Sequence, residues 1–161
     1  MTQLIDSYRR KIDYLRISVT DRCNFRCQYC MPEDIKFQDK SHILTLEEML
    51  TFAEACLALG VTKVRVTGGE PLVRRGVVKF VGWLKELGFD EVTMTTNGYL
   101  LKENLEGLVE AGLDRINISL DTLQPEKFAF ITRRNHFHRV WEAIMAALKT
   151  PLSPVKINAV A

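Results

Sequence analysis

The chain has 161 residues, 47% of them apolar and 26% charged, with a formal net charge of +2. That length suits one domain, and the composition excludes a disordered or fibrous chain. With a pI near 8.4, the charge is too weak to argue for nucleic-acid or membrane-surface binding.

About two thirds of the unfolded surface of a chain this long can be buried, so disulfide staples are not needed. No run of about 18 apolar residues is present. The start Met-Thr-Gln-Leu-Ile-Asp has neither the basic nor the apolar region of a secretory signal. A soluble, reduced, cytoplasmic protein is expected.

Along the chain, five segments alternate apolar and polar residues at strand spacing: Leu15–Val19, Val64–Thr67, Val92–Thr95, Ile116–Ser119 and Val155–Asn158. Residues 31–42 form the longest expected loop. A helix is expected from Leu46 to Leu59, capped by Thr45 with Glu48 three positions on and ended by Gly60. The second puts Val77, Phe80, Val81, Leu84 and Leu87 on one face and stops at Gly88. The third carries Leu101, Leu105, Leu108 and Val109 before Gly112. The fourth carries Phe137, Val140, Trp141, Ile144 and Leu148 and closes near Pro151 and Pro154. Strands that return through helices make parallel βα units.

The two faces of these strands differ. Leu15/Ile17/Val19, Val64/Val66, Val92/Met94, Ile116/Ile118 and Val155/Ile157 can all meet a helix layer. The other face carries Arg16/Ser18, Arg65/Thr67, Thr93/Thr95, Asn117/Ser119 and Lys156/Asn158. A closed eight-stranded barrel fills its interior with branched apolar side chains, and a doubly wound sheet is apolar on both faces. The pattern predicts instead a curved, partly open parallel barrel with a polar lumen, on which Arg16, Arg65 and Lys156 converge. A simply solvated sheet face is the alternative. Five strands cannot close such a barrel, so part of a longer protein is expected.

Cys23, Cys27 and Cys30 follow the first strand as C-x3-C-x2-C, while Cys56 stands apart on a core-facing helix position with Met49, Ala53 and Leu57. Structural zinc takes four protein ligands, and His42 is the nearest fourth. An iron–sulfur cluster usually takes four cysteines, so three leave one iron open to an outside ligand, as a catalytic cluster requires. Zinc with His42, or three unrelated thiols, are the other readings.

This cysteine spacing, followed by Thr67-Gly68-Gly69-Glu70-Pro71 after the second strand, closely resembles the radical S-adenosylmethionine superfamily. Alone, Gly-Gly-Glu-Pro could be a turn; after the cysteine motif it carries weight. The segments Tyr14–Cys27, Thr95-Thr96-Asn97-Gly98, Asn117–Asp121 and Val155–Asn158 narrow the resemblance to the GTP 3′,8-cyclase family of molybdenum-cofactor biosynthesis, from about Tyr14 to Ala161. The resemblance implies that Cys23, Cys27 and Cys30 hold a [4Fe–4S] cluster. It places Tyr29, Gly68, Gly69, Glu70 and Ser119 at S-adenosylmethionine, with Tyr29 against the adenine and the Gly-Gly-Glu-Pro run at the amino group. It places Arg16, Arg65, Thr96 and Lys156 at GTP.

Family members are about twice this length. Their C-terminal half carries a second three-cysteine [4Fe–4S] site that binds guanine, so residues 1–161 resemble the N-terminal part of the core domain. The implied reaction turns GTP into (8S)-3′,8-cyclo-7,8-dihydroguanosine 5′-triphosphate. It starts with reductive cleavage of S-adenosylmethionine at the open iron and abstraction of the ribose C3′ hydrogen. A donor such as flavodoxin or ferredoxin supplies the electron, and a cyclic pyranopterin synthase consumes the product. Another radical S-adenosylmethionine enzyme of the peptide or sulfatase maturase type, or a non-catalytic iron–sulfur scaffold, are the rival readings. Arg133, Arg134, His136, His138 and Arg139 are expected to be a solvated helix start, with a phosphate-facing loop as the alternative.

Overall fold

Five strands form one wholly parallel sheet in sequence order: β1 (Tyr14–Ser18), β2 (Lys63–Thr67), β3 (Glu91–Thr96), β4 (Arg115–Ser119) and β5 (Val155–Asn158). The structure, a computed structural model, describes residues 4–160. The helices are α1 (Leu46–Ala58), α2 (Val77–Leu87), α3 (Leu101–Glu110), α4 (Pro125–Thr132) and α5 (Phe137–Ala147). Parallel crossovers are right-handed, so a strand order that never reverses puts every helix on the same face. A doubly wound sheet reverses its order and divides its helices between two faces. This sheet is therefore an open arc of the barrel type.

The helix-facing rows are dry. Val64, Val66, Val92, Met94, Ile116 and Ile118 are fully buried against Phe80, Leu84, Leu101, Leu108 and Val140. Thr45 caps α1 by accepting from the Glu48 N–H, while the Glu48 carboxylate accepts from the Thr45 N–H. This is the reciprocal capping box read from the sequence. Gly88 ends α2 in the left-handed region at φ 99°.

Three expectations change. First, α4 carries too weak an apolar stripe in its eight residues to stand out from the sequence; Pro125 sits in its first turn and Arg133 closes it at φ 54°. Second, Trp141 is 40% exposed and Leu148 lies beyond α5, so both leave the core face expected of them. Third, Ile157 is 48% exposed. The outer faces of β1–β4 are covered by helices that follow them; on β5 Val155 still packs on the core, while Ile157 is left half open. No helix of the described residues is long and apolar enough to cross a membrane.

Candidate active site

The cysteine loop leaves the sheet at Val19, whose N–H donates to the Thr67 carbonyl at 2.9 Å. Phe25 anchors it. Its ring is 2% exposed and meets Phe128 and Tyr99 edge-on at 5.8 and 6.1 Å, with His136 stacked at 6.1 Å. Main-chain bonds tie the loop to the end of α4: Arg26 N–H to Thr132 at 3.1 Å and Gln28 N–H to Ile131 at 2.9 Å. The Arg26 guanidinium turns back onto the carbonyls of Cys23 and Phe25, both at 2.7 Å.

Cys23 and Cys27 are half-buried and Cys30 is exposed. The Cys23 sulfur accepts from the Phe25 N–H at 3.4 Å and from the Asn97 amide at 3.7 Å. Both contacts favour a thiolate. Burial raises the Cys23 thiol. Burial, and then the neighbouring Cys23, Cys30 and Asp121 charges, push the Cys27 thiol up to about 11. Three sulfurs that repel each other's charge call for a cationic guest, and binding one must release protons. Among the described residues no three His, Cys, Asp or Glu side chains converge closely enough for a single metal ion. A mononuclear zinc site needs all its ligands within about 2.3 Å of one point. A polynuclear cluster takes each sulfur on a different iron. His42 lies exposed in a short 3-10 turn, and Cys56 packs half-buried on α1.

The Gly68–Pro71 loop docks directly on the segment that leads to Cys23. The Gly69 N–H donates to the Thr20 carbonyl at 2.7 Å and the Glu70 N–H to the Arg22 carbonyl at 2.8 Å. A Cβ on Gly69 would lie 2.4 Å from the Arg22 oxygen, and one on Gly68 2.6 Å from the Thr20 oxygen. The two glycines thus satisfy a close backbone approach within the protein as well as leaving main chain bare. Glu70 is 0% exposed. Its carboxylate accepts from Leu72 N–H (3.0 Å), the Thr96 hydroxyl (2.7 Å) and Asn97 N–H (2.6 Å). It therefore clamps the loop to the end of β3.

Burial pushes the Glu70 carboxyl above its ordinary range, against the pull of these three donors. A folded-state pKa that is raised means stability is lost as pH climbs from the usual carboxylate range through the raised value. Glu70→Gln should therefore gain on the wild-type chain with rising pH, by up to about 1.4 kcal/mol per unit of pKa elevation. Urea denaturation of both proteins across that range checks this. A gap that moves the other way would mean that the donors outweigh burial.

The resemblance assigned Thr96 to the nucleotide, but the structure turns it away from the lumen. It is 2% exposed and its hydroxyl is held by Glu70. Its neighbour Thr95 lies on the lumen face, in a cross-strand row with Asn117 and Lys156. A second row runs Arg16, Arg65, Thr93 and Arg115. Arg115 was passed over because its strand was expected to start at Ile116; here it pairs with Glu91. Arg65 leans on Thr93 (Nε to Oγ1 3.3 Å) and lies 5.5 Å from the centre of the Tyr14 ring. Ser119 is half-buried at the end of β4. Beyond it, Asp121 accepts from the Tyr29 hydroxyl at 2.8 Å and from the Val160 N–H at 2.9 Å. Burial, then this bond to Asp121, raises the Tyr29 phenol.

The basic stretch is a brace. Arg134 donates to the Asn24 carbonyl at 3.3 Å and pairs with Glu33 at 3.0 Å. Arg139 donates to the Tyr99 carbonyl at 2.8 Å, with its guanidinium 4.2 Å from the centre of the Tyr99 ring. Arg133 and His138 stay exposed, as a solvated helix start would have them, while Arg134 and Arg139 are tied to the protein. Asn97 and Asp121 were not singled out from the sequence. The Asn-Gly turn after β3 was the available signal for Asn97: its Oδ1 accepts from the Tyr99 N–H at 3.0 Å, and the bend at Gly98 has φ 81°.

An open parallel arc, with a three-cysteine loop after β1 and a Gly-Gly-Glu loop after β2, defines a class of enzyme core. Residues 17–161 match the Radical SAM superfamily, and the chain belongs to it. With that membership come a [4Fe–4S] cluster and S-adenosylmethionine as the family's cofactors. The chain is 52% identical over 159 residues to the GTP 3′,8-cyclase of Peptoclostridium acidaminophilum, covering 98% of this chain and 49% of that protein. Against the GTP 3′,8-cyclase of Rhizobium etli it is 51% identical over 161 residues, covering 98% and 46%. The chain thus spans about half the length of the curated relatives it matches. Streptococcus suis SuiB bound to S-adenosylmethionine shares the fold at a TM-score of 0.74 and 21% identity, covering 91% of this chain and 32% of that one. Methylornithine synthase shares it at 0.71 and 18%, covering 91% and 44%. The open sheet is accordingly a partial barrel of the radical S-adenosylmethionine type.

Proposed function

We propose that residues 1–161 are the N-terminal part of the core domain of a GTP 3′,8-cyclase. In this reading Cys23, Cys27 and Cys30 hold the [4Fe–4S] cluster. Tyr29, the bare main chain of Gly68 and Gly69, and Ser119 receive S-adenosylmethionine. Glu70 serves that set through the loop it holds, since its carboxylate is closed off by three donors. When bound, the cluster and cofactor supply a reductively generated radical able to take the ribose C3′ hydrogen of GTP, after which C3′ joins guanine C8.

The observation that carries the substrate is the row on the lumen face. Arg16 and Arg65 are direct cross-strand partners, and like charges in that position repel. A triphosphate bridging them, with Lys156 from β5, turns that repulsion into charge-assisted bonding. Thr95 takes the polar lumen position; Thr96 belongs to the nucleotide set by resemblance alone. These cations fix the ribose near the radical source, so most of the protein's contribution is position and exclusion of water. A second cluster that holds guanine belongs to the C-terminal half of the enzyme. The reductant is a flavodoxin or ferredoxin, the product passes to a cyclic pyranopterin synthase, and the setting is cytoplasmic. About 50% identity to cyclases along nearly the whole chain supports this over a peptide maturase, to which the likeness is one of fold.

The test is chromatography of reactions run under reducing, anaerobic conditions. The reconstituted chain alone should cleave S-adenosylmethionine to 5′-deoxyadenosine without consuming GTP. Addition of a relative's C-terminal half should produce the 3′,8-cyclised nucleotide. Cyclised nucleotide from these 161 residues alone would overturn the division of labour, and failure to cleave S-adenosylmethionine at all would overturn the cofactor assignment.

A further inference from the structure

Behind the wall that joins the two cofactor motifs lies a hollow of about 440 Å³. Four cations, Arg22, Lys40, Arg74 and Arg75, line it together with Thr20, Thr45 and the apolar Ile43 and Val73; no Asp or Glu does. Among the described residues none of the four cations pairs with a carboxylate within 4.0 Å. Two are nonetheless held in place. Arg74 donates to the Val19 carbonyl at 3.2 Å and the Leu44 carbonyl at 2.9 Å, which fixes the guanidinium without neutralising it. Arg22 rests 5.7 Å from the centre of the Phe37 ring.

The hydroxyls are committed in the same sense. Thr20 Oγ1 accepts from the Arg22 N–H and Thr45 Oγ1 from the Glu48 N–H, so each keeps its proton for a guest. A hollow that four cationic side chains line, with no carboxylate among its lining residues, is complementary to an anion with several acceptor oxygens. Its volume lies in the range of small-molecule sites.

We propose that this hollow binds a phosphate group borne by a small molecule, at a site separate from the lumen and back to back with the cofactor loops. The inference does not depend on the GTP assignment. Arg22 and Thr20 belong both to the hollow and to the wall on which Gly68 and Gly69 dock.

Calorimetric titration with inorganic pyrophosphate tests it on the chain as it stands. The wild-type chain should bind one equivalent at this hollow, counted apart from any held by the lumen cations. Lys40→Glu combined with Arg75→Glu, at two exposed positions, should weaken binding at least tenfold while circular dichroism shows the fold retained. Arg65→Ala with Lys156→Ala, which removes lumen cations, should leave pyrophosphate affinity unchanged. In that lumen variant, ATP binding more tightly than pyrophosphate would identify a nucleotide as the bearer, and equal affinity would identify the free anion. No binding to the wild-type chain at millimolar pyrophosphate would overturn the proposal, as would equal affinity in the Lys40/Arg75 variant or loss in the lumen variant. Tighter binding of a polyglutamate peptide than of pyrophosphate would replace the phosphate with an acidic protein surface.

Discussion

Anaerobic reconstitution with iron and sulfide is expected to load about four irons per chain, and alanine at Cys23, Cys27 or Cys30 to abolish loading. Broad visible absorption that bleaches with dithionite should appear in the wild-type chain and vanish in each variant. The expected effect is complete because three protein ligands leave no redundancy, and because the loop already carries N–H donors aimed at the Cys23 sulfur. Cys56→Ser should load normally, since Cys56 packs on α1 against the core. Loss of iron in the Cys56 variant, with retention in any of the other three, would reassign the ligands. The Cys27 thiol, raised to about 11, makes loading proton-linked: it should strengthen as pH rises, because each thiol must lose its proton to bind.

GTP affinity should fall about 10- to 100-fold in Arg65→Ala and in Lys156→Ala, each losing a charge-assisted contact worth about 1.5–3 kcal/mol. The measurement is equilibrium binding to the chain complemented by the C-terminal half of a relative, with S-adenosylmethionine affinity read in parallel and expected to hold. Arg115→Ala is the informative control. It stands in the same row as Arg65, but Glu91 already neutralises it, so its removal should change GTP affinity far less. Equal losses at Arg65 and Arg115 would show that general lumen potential, and not specific contact, holds the nucleotide. Binding unchanged in both Arg65 and Lys156 variants would leave the lumen face as merely solvated.

The strands, four of the helices and the two motif loops were legible because each rests on a local rule: alternation in strands, a capping box at Thr45 and Glu48, glycine at helix ends. The lumen cations followed from the same alternation. What was not legible depends on contacts between distant segments. Alternation puts Thr95 on the polar face and Thr96 on the other, but nothing local says that the Thr96 hydroxyl will be held by Glu70, 26 residues away. Arg134 and Arg139 read as a charged, solvated run because nothing local says that Asn24 and Tyr99 will stand beside them. Ile157 is a core residue by alternation, but on the last strand it meets only partial cover and stays 48% exposed. Glu70 was read as a ligand contact; its three donors come from the following turn and from the end of β3.

The anchoring of Phe25 and its neighbours sets an order of assembly. Gln28 reaches the Phe130 carbonyl across 102 residues of sequence, and Arg134 reaches the Asn24 carbonyl across 110. The cysteine-bearing segment is made before α4 and α5, but it takes its shape only when they have formed and packed. Contacts of such separation form late, because the intervening chain must be closed before they contribute. Metal delivery to a nascent chain would thus meet three unorganised thiols open to oxidation and to zinc. A cell that makes this protein gains by withholding iron and sulfide until α5 has been made, roughly six to twenty-five seconds after Cys23 at usual elongation rates.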